Sequence, residues 1–227
     1  LTFDGKKFDR LFFNIADKYP AILCMHEDTA AHRIYLGTNE GLIIYDTDKK
    51  TFKVHPTEKH NVLFVEGDKY GRKWICTNKK IYLFEKDSLK ELNLRGFPND
   101  AGVISCKRDS RGNMWVAAKN GLFLYNWKEY IKISPENYFF ISLYRNRYLI
   151  AGNVNGFLYI DLDAFYSYNP DCWKFFDHNN GFSGIECGQN GTCIDSRGNV
   201  WIPTSESVVK FMPGRLTKNK VPPFLIL

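Results

Sequence analysis

The sequence lacks most of the patterns on which catalytic, nucleotide and nucleic-acid sites are built, and it has no long apolar run. It contains no phosphate-binding glycine loop and no nucleic-acid-binding motif. The GFSG at residues 181–184 does not match the nucleophile elbow of serine hydrolases. No apolar segment approaches the ~20 residues of a membrane helix. These absences argue against nucleotide binding, nucleic-acid binding and serine-hydrolase chemistry, and no cofactor is expected.

Neither the histidines nor the cysteines are arranged as a metal site. No metal-ligand spacing occurs among the five histidines, which are His26, His32, His55, His60 and His178. None of the six cysteines forms a C-x-x-C motif, so we expect free thiols, with Cys187 and Cys193 as the first candidates for a disulfide. Cys24, Cys106 and Cys193 each lie in an apolar stretch just before a turn, which predicts small buried strand residues.

Aromatic residues, by contrast, are abundant, at 16% of the chain with 13 Tyr, 18 Phe and 5 Trp. Aromatic side chains favour strands, so the composition favours β structure. The formal net charge of +6 modestly favours anionic partners. However, the lysines fall mostly in turn-like segments such as DTDKKTFK (46–53) and TNKKIY (77–82), which is typical of solvated hairpin tips.

One seven-residue phrase occurs twice, as DSRGNMW at 109–115 and as DSRGNVW at 195–201. Related stretches place five anchor positions along the chain, at spacings of 39, 41, 35 and 51 residues: Tyr35, Trp74, Trp115, Ile150 and Trp201. Ten residues after each anchor comes an aromatic or large apolar residue: Tyr45, Phe84, Tyr125, Ile160 and Phe211. Recurrence at this period indicates a repeated structural unit.

Each repeat has the pattern of a four-stranded meander, and four short strands every ~42 residues is the period of a β-propeller blade. The sequence therefore predicts an all-β propeller of about five four-stranded blades, either a closed five-bladed ring or an arc of a larger propeller. The predicted propeller spans residues 1–216, with blade motifs near 21–57, 61–92, 102–131, 136–165 and 186–216. Residues 5–13 are a candidate strand that would close the ring on the last blade.

Four aspartates recur once per repeat in the predicted first turn: Asp28, Asp68, Asp109 and Asp195. Catalytic groups are needed once, whereas turn geometry is needed in every repeat. We therefore predict that these carboxylates cap turns and do not carry out acid–base chemistry.

The pattern D-x-x-G-N-hydrophobic-W-hydrophobic-x-T-x-x-G-L-x-x-Y resembles the two-component regulator propeller repeat. The third repeat matches it at Asp109, Gly112, Asn113, Trp115, Gly121, Leu122 and Tyr125, and the fifth at Asp195, Gly198, Asn199, Trp201, Thr204 and Phe211. The second and fifth repeats depart from it, with Lys80 and Ser207 where the family prefers Gly.

This resemblance implies the periplasmic sensor region of a Bacteroides-type hybrid two-component histidine kinase. In such a protein the region binds a glycan fragment and signals across the membrane. The resemblance also implies that residues 217–227, with Pro222 and Pro223, form a linker into an Ig-like module. A membrane would then be reached only through parts of the parent chain outside this sequence.

Propellers bind ligands on the face around the central channel, through loops between strands. The polar residues predicted there, in loops between second and third strands, are Asn39, Glu40, Asn78, Lys79, Asn120, Asn155 and Glu206. Amides and carboxylates suit sugar hydroxyls, and Lys79 and Lys119 suit a uronate or sulfate. Turn formation alone also explains Asn120 and Asn155, because each precedes glycine. Trp173 lies outside the anchor series and is either a sugar-stacking platform or a fourth-strand packing residue.

Three functions are open at this point. The first is a non-enzymatic sensory propeller that binds an oligosaccharide or another small molecule. The second is a protein–protein or homodimerisation scaffold. The third, a carbohydrate-active enzyme, needs converging carboxylates, and the predicted first strands offer only Glu27, Glu66 and Glu186 nearby.

Overall fold

The computed structural model describes residues 2–3, 5–9, 20–58, 60–92, 97 and 102–216, and most of these residues lie in antiparallel strands. The all-β prediction is confirmed. Helical structure in the described part amounts to α1 (Leu162–Tyr166) and two 3-10 turns, His178–Asn180 and Pro213–Arg215. No helix within these ranges is long and apolar enough to cross a membrane.

The strands form consecutive meander sheets, which we number as blades 1 to 5. Blade 1 consists of β3 (Ile22–Asp28), β4 (Arg33–Thr38), β5 (Gly41–Asp46) and β6 (Thr51–His55). Blade 2 consists of β7 (Val62–Gly67), β8 (Lys73–Thr77), β9 (Ile81–Glu85) and β10 (Ser88–Glu91). Blade 3 consists of β11 (Val103–Arg108), β12 (Met114–Ala118), β13 (Gly121–Tyr125) and β14 (Tyr130–Ser134).

Blades 3 and 4 extend beyond the predicted boundaries. Blade 4 consists of β15 (Phe140–Tyr144), β16 (Tyr148–Gly152), β17 (Phe157–Asp161) and β18 (Trp173–Phe176). Its fourth strand therefore lies beyond residue 165, because α1 is inserted after the third strand. Blade 3 likewise runs to Ser134 and not to residue 131. Blade 5 has three described strands, β19 (Cys193–Ile194), β20 (Val200–Pro203) and β21 (Val208–Phe211).

The candidate closing strand at 5–13 is only partly described. Within it, β2 (Phe8–Asp9) pairs with β1 (Thr2–Phe3) in a small hairpin and not with blade 5. Residues 10–13 lie outside the described residues, as does the predicted linker at 217–227.

The repeated DSRGN phrase is a turn held by its aspartate. The Asp109 carboxylate accepts hydrogen bonds from the backbone N–H of Arg111 (2.9 Å) and Asn113 (2.9 Å). Its other oxygen accepts from Trp115 Nε1 at 3.0 Å and from the hydroxyl of Tyr166 in α1. The turn carboxylate thus fixes both the turn backbone and the indole of the following strand, as the predicted capping role requires.

Blades 2 and 5 repeat the arrangement. Asp68 accepts from Trp74 Nε1 at 3.4 Å, and Asp195 accepts from Trp201 Nε1 at 2.9 Å. Hydrogen bonds from the Asn199 amide and the indole hold the pKa of Asp195 below its usual range.

Blades 1 and 4, whose anchors have no indole, use other contacts. Asp28 pairs instead with Lys73 Nζ of blade 2 at 2.7 Å, and this hydrogen bond lowers the pKa of the aspartate. The first turn of blade 4 has no aspartate, and Arg145 and Asn146 there adopt left-handed φ of 53° and 52°.

The anchors and the residues ten positions later interlock between blades. Tyr35 meets Phe84 of the next blade at a ring separation of 5.9 Å, and Trp74 meets Tyr125 at 5.8 Å. Trp115 shares a buried cluster with Ile160, and Ile150 shares one with Phe211. The first four anchors therefore face the following blade, and the last four second residues face the preceding blade. The paired side chains therefore fill the space between these blades.

The turn between second and third strands takes two forms. In blades 1, 3 and 4 it ends in Gly41, Gly121 or Gly156, with φ of 128°, 156° and 151°. In blades 2 and 5 a threonine hydroxyl accepts the backbone N–H of Lys80 (2.8 Å) or Ser207 (3.0 Å). These two residues do not have positive φ, which explains why the glycine of the family pattern is not needed there.

We predict that Gly156→Ala destabilises the fold by about 2–3 kcal/mol. A Cβ at this position would lie 2.0 Å from the carbonyl oxygen of Phe176, and the backbone has a left-handed φ. The measurement is urea unfolding followed by tryptophan fluorescence. Gly214→Ala is the matched control, since its Cβ would meet open space. Equal stability of the two variants would contradict this account of the turn.

Candidate ligand-binding cleft

Most of the predicted binding residues lie in the turns between second and third strands. The turns of blades 1, 2, 3 and 5 carry six of them: Asn39, Glu40, Asn78, Lys79, Asn120 and Glu206. The Asn39 amide oxygen already accepts the backbone N–H of Ala21 at 2.8 Å. The Asn120 amide oxygen is buried without a hydrogen-bond partner among the described residues.

Two of the predicted residues, Asn155 and Trp173, come together. They line a cleft of about 520 Å³ on the flank between blades 3 and 4. We call it the blade 3–4 cleft and define it by Ile133, Ser134, Pro135, Glu136, Tyr138, Asn153, Asn155, Leu158, Trp173 and Phe175. It lies on the outer side of the blades, whereas the sequence predicted a site around the channel.

Strand register places the apolar wall of the cleft. Trp173 lies opposite Ile160, and Phe175 lies opposite Leu158, so these side chains share one face of blade 4. Leu158 and Ile160 are buried against blade 3, and Phe175 packs on the same cluster. Trp173 continues this row beyond the covered part and is 50% exposed. It is therefore a fourth-strand residue whose side chain is half-exposed to solvent.

On the polar wall of the cleft, some side chains form hydrogen bonds within the protein and others do not. Ser134 Oγ accepts from Tyr138 Oη at 3.1 Å and from the backbone N–H of Glu136 at 3.3 Å. Burial raises the pKa of Tyr138. Asn153 is buried, and its amide oxygen accepts the backbone N–H of Asn155 at 2.9 Å.

Three other polar groups at the cleft are left available for a ligand. Within the described ranges, no hydrogen-bond partner is found for the side-chain amide of Asn155, the carboxylate of Glu136 or the indole N–H of Trp173. Glu136 and Tyr138 were not predicted, because they precede the first strand of blade 4, at positions that the recurring anchors and turn residues do not mark. The Pro135 that follows a fourth strand is the one local signal of a loop.

The central channel forms a second cavity, of about 510 Å³. Its lining includes Phe64, Glu66, Lys107 and Ser142, which lie in the first strands of blades 2, 3 and 4, and Asn146 from the first turn of blade 4. Lys107 Nζ and Glu66 Oε2 pair across it at 2.8 Å.

Asn190 lines this channel and links three blades through hydrogen bonds. Its side-chain amide donates to the carbonyls of Leu63 and Ile104, each at 3.1 Å, in the first strands of blades 2 and 3. Its backbone N–H donates to the carbonyl of Phe139 at 3.2 Å. The segment before blade 5 therefore closes part of the channel and is a structural tie.

The acidic residues that an enzyme would need do not converge. Glu66 lies next to the first turn of blade 2, whereas the backbone N–H of Glu186 donates to Val154 O, at the opposite end of the strands. Glu27 is exposed on β3. In the part of the chain that the structure describes, no group of three or more His, Cys, Asp and Glu residues is placed to hold a metal ion.

Comparison with known proteins identifies the fold. No family model and no curated relative matches the chain. The extracellular domain of a hybrid two component system from B. thetaiotaomicron superposes with a TM-score of 0.75 at 21% identity, covering 92% of this chain and 30% of that chain. PorZ, a surface component of the type-IX secretion system of Porphyromonas gingivalis, gives a TM-score of 0.67 at 13% identity, covering 92% and 35%.

Virginiamycin B lyase from Staphylococcus aureus gives a TM-score of 0.61 at 14% identity, covering 82% of this chain and 68% of that chain. The fold is therefore a β-propeller, as predicted. The expected likeness to the sensor propellers of Bacteroides two-component systems is confirmed at the level of fold. The chain spans less than a third of the length of the two-component domain. The same fold also occurs in a lyase, so the fold alone does not assign a function.

We predict that Asn190→Ala lowers the free energy of unfolding by about 1–2 kcal/mol, because two carbonyls lose a donor. Gln189→Ala is the matched control, since Gln189 is an exposed neighbour. The measurement is chemical denaturation of both variants. If Gln189→Ala costs as much as Asn190→Ala, the interpretation of Asn190 as a tie between blades is wrong.

Proposed function

We propose that this chain is a ligand-sensing propeller from the extracytoplasmic part of a two-component sensor histidine kinase, and that it binds a glycan fragment in the blade 3–4 cleft. The observation that carries the proposal is the half-exposed indole of Trp173 beside the unused polar groups of Asn155 and Glu136. The fold of the B. thetaiotaomicron extracellular domain supports the sensory assignment.

The chemistry of the cleft suits a sugar. A pyranose ring has an apolar face of C–H groups, which packs on an aromatic ring, and a rim of hydroxyls, which needs donors and acceptors. Trp173 and Phe175 supply the aromatic surface, and the Asn155 amide and Glu136 carboxylate supply the rim contacts. A volume of about 520 Å³ lies within the range of small-molecule sites.

The position of the cleft supplies a route for signalling. Its walls come from two blades, so a bound ligand contacts both the end of β14 and the outer strands of blade 4. A ligand shifts a conformational equilibrium only when it binds one state more tightly. A site shared between two blades meets this condition whenever their separation differs between the two states.

Binding is tested by a thermal-shift screen of neutral and acidic oligosaccharides, followed by calorimetry. We expect one class to raise Tm and to be recovered chemically intact. Trp173→Ala should weaken that ligand about tenfold or more, since stacking on one aromatic ring supplies about 1.5 kcal/mol. Asn155→Ala should also weaken it.

Tyr168→Ala is the matched control, because Tyr168 is 95% exposed and is not part of the cleft. Equal weakening by Trp173→Ala and Tyr168→Ala would contradict the proposed location. Failure of every oligosaccharide to bind, together with self-association of the chain, would favour a homodimerisation scaffold. Conversion of the glycan would identify an enzyme.

A further inference from the structure

Two cysteines that no sequence pattern links meet between blades 2 and 3. Cys76 lies on β8 and Cys106 on β11, and their sulfur atoms are 3.2 Å apart. Both side chains are fully buried. They share a cluster with Trp74, Met114 and Val116, which is the apolar interface between these two blades.

The cysteine pair suggested by the sequence is arranged differently. Cys187 Sγ donates to the carbonyl of Gly156 at 3.3 Å in the core between blades 4 and 5. Cys193 is exposed on β19, contrary to the expectation that it is buried. In the structure all six cysteines are free thiols.

We propose that Cys76 and Cys106 form a disulfide that links blades 2 and 3 when the chain folds in an oxidising compartment. A disulfide has an S–S distance of about 2.05 Å, so the two sulfurs need to approach by about 1.2 Å. The compartment rests on the extracytoplasmic location in the proposed function, since disulfides persist outside the cytoplasm. The geometry does not depend on that location.

The oxidation requires an external disulfide as the oxidant, such as oxidised glutathione or a thiol–disulfide oxidoreductase. One protein thiolate attacks the oxidant disulfide, forms a mixed disulfide and releases one thiol. The second protein thiolate then attacks the mixed disulfide, which forms the Cys76–Cys106 bond and releases the second thiol. Two protein thiols are oxidised and one external disulfide is reduced.

Burial determines when this reaction occurs. The thiolate is the reactive form of cysteine, and desolvation raises the pKa of Cys106 well above its usual value. The folded, reduced domain should therefore oxidise slowly. Oxidation should be fast during folding, before the interface between blades 2 and 3 closes.

The test uses the chain refolded with oxidised and reduced glutathione, without any requirement for a glycan. Non-reducing peptide mapping should find residues 76 and 106 in one cross-linked peptide pair. The oxidised form should have a Tm roughly 6–12 °C above the reduced form, as a loop of this length predicts. Adding oxidant after folding should give cross-linking at least tenfold more slowly.

Variants separate this bond from general effects of thiol loss. Cys24→Ala should keep both the cross-link and the Tm difference, because Cys24 Sγ donates to Val62 O and lies outside the pair. Cys106→Ala should remove both. If the refolded wild-type chain leaves residues 76 and 106 alkylatable, or links a different pair, the proposal is overturned.

The two proposals fail separately. Cross-linking in glutathione without any glycan binding would leave the disulfide standing and remove the sensing function. The Cys76–Cys106 cross-link could also form in glutathione but be absent from the protein isolated from its native host. That result would agree with the short distance between the two sulfurs but overturn the proposed disulfide in the cell.

Discussion

The hydrogen bond from a strand tryptophan to the aspartate of the preceding turn is the contact on which this propeller depends. It occurs in three blades, and the shorter of its two buried examples joins Asp109 and Trp115 at 3.0 Å. A carboxylate that accepts two turn amides and an indole N–H sets the turn geometry and the orientation of the large side chain together. The oriented indole then fills the space against the next blade, so one local contact determines both blade shape and blade stacking.

The two blades without this bond show what replaces it, and one of them contributes to the candidate site. Blade 1 uses the ion pair between buried Lys73 and partly buried Asp28 across the blade boundary. Blade 4 has a tight turn without aspartate and instead carries α1, whose Tyr166 donates to Asp109 of blade 3. The inserted α1 separates β17 from β18, the strand that carries Trp173. The least regular blade thus supplies the aromatic surface of the cleft.

Sequence periodicity predicted the fold well, because every blade repeats the same contacts. The turn aspartates, the two interlocking rows and the first strands along the channel all follow from positions that recur in the printed sequence. The residues of the blade 3–4 cleft were predicted from the sequence only in part. Asn155 was predicted from its turn and Trp173 as an unexplained aromatic, but Glu136 and Tyr138 precede the first strand of blade 4, at positions that do not recur from repeat to repeat. The contact between Cys76 and Cys106 was also missed, since it depends on how two blades pack.

The most direct test of the account is a double-mutant cycle of Asp109→Asn and Trp115→Phe, with unfolding free energies measured in urea. We expect a coupling energy of about 1.5–3 kcal/mol, the value for a hydrogen bond to a charged group. The same cycle at Asp68 and Trp74, where the bond is 3.4 Å long, should give a smaller coupling. Additive effects within about 0.5 kcal/mol at Asp109 and Trp115 would contradict the central role of this bond.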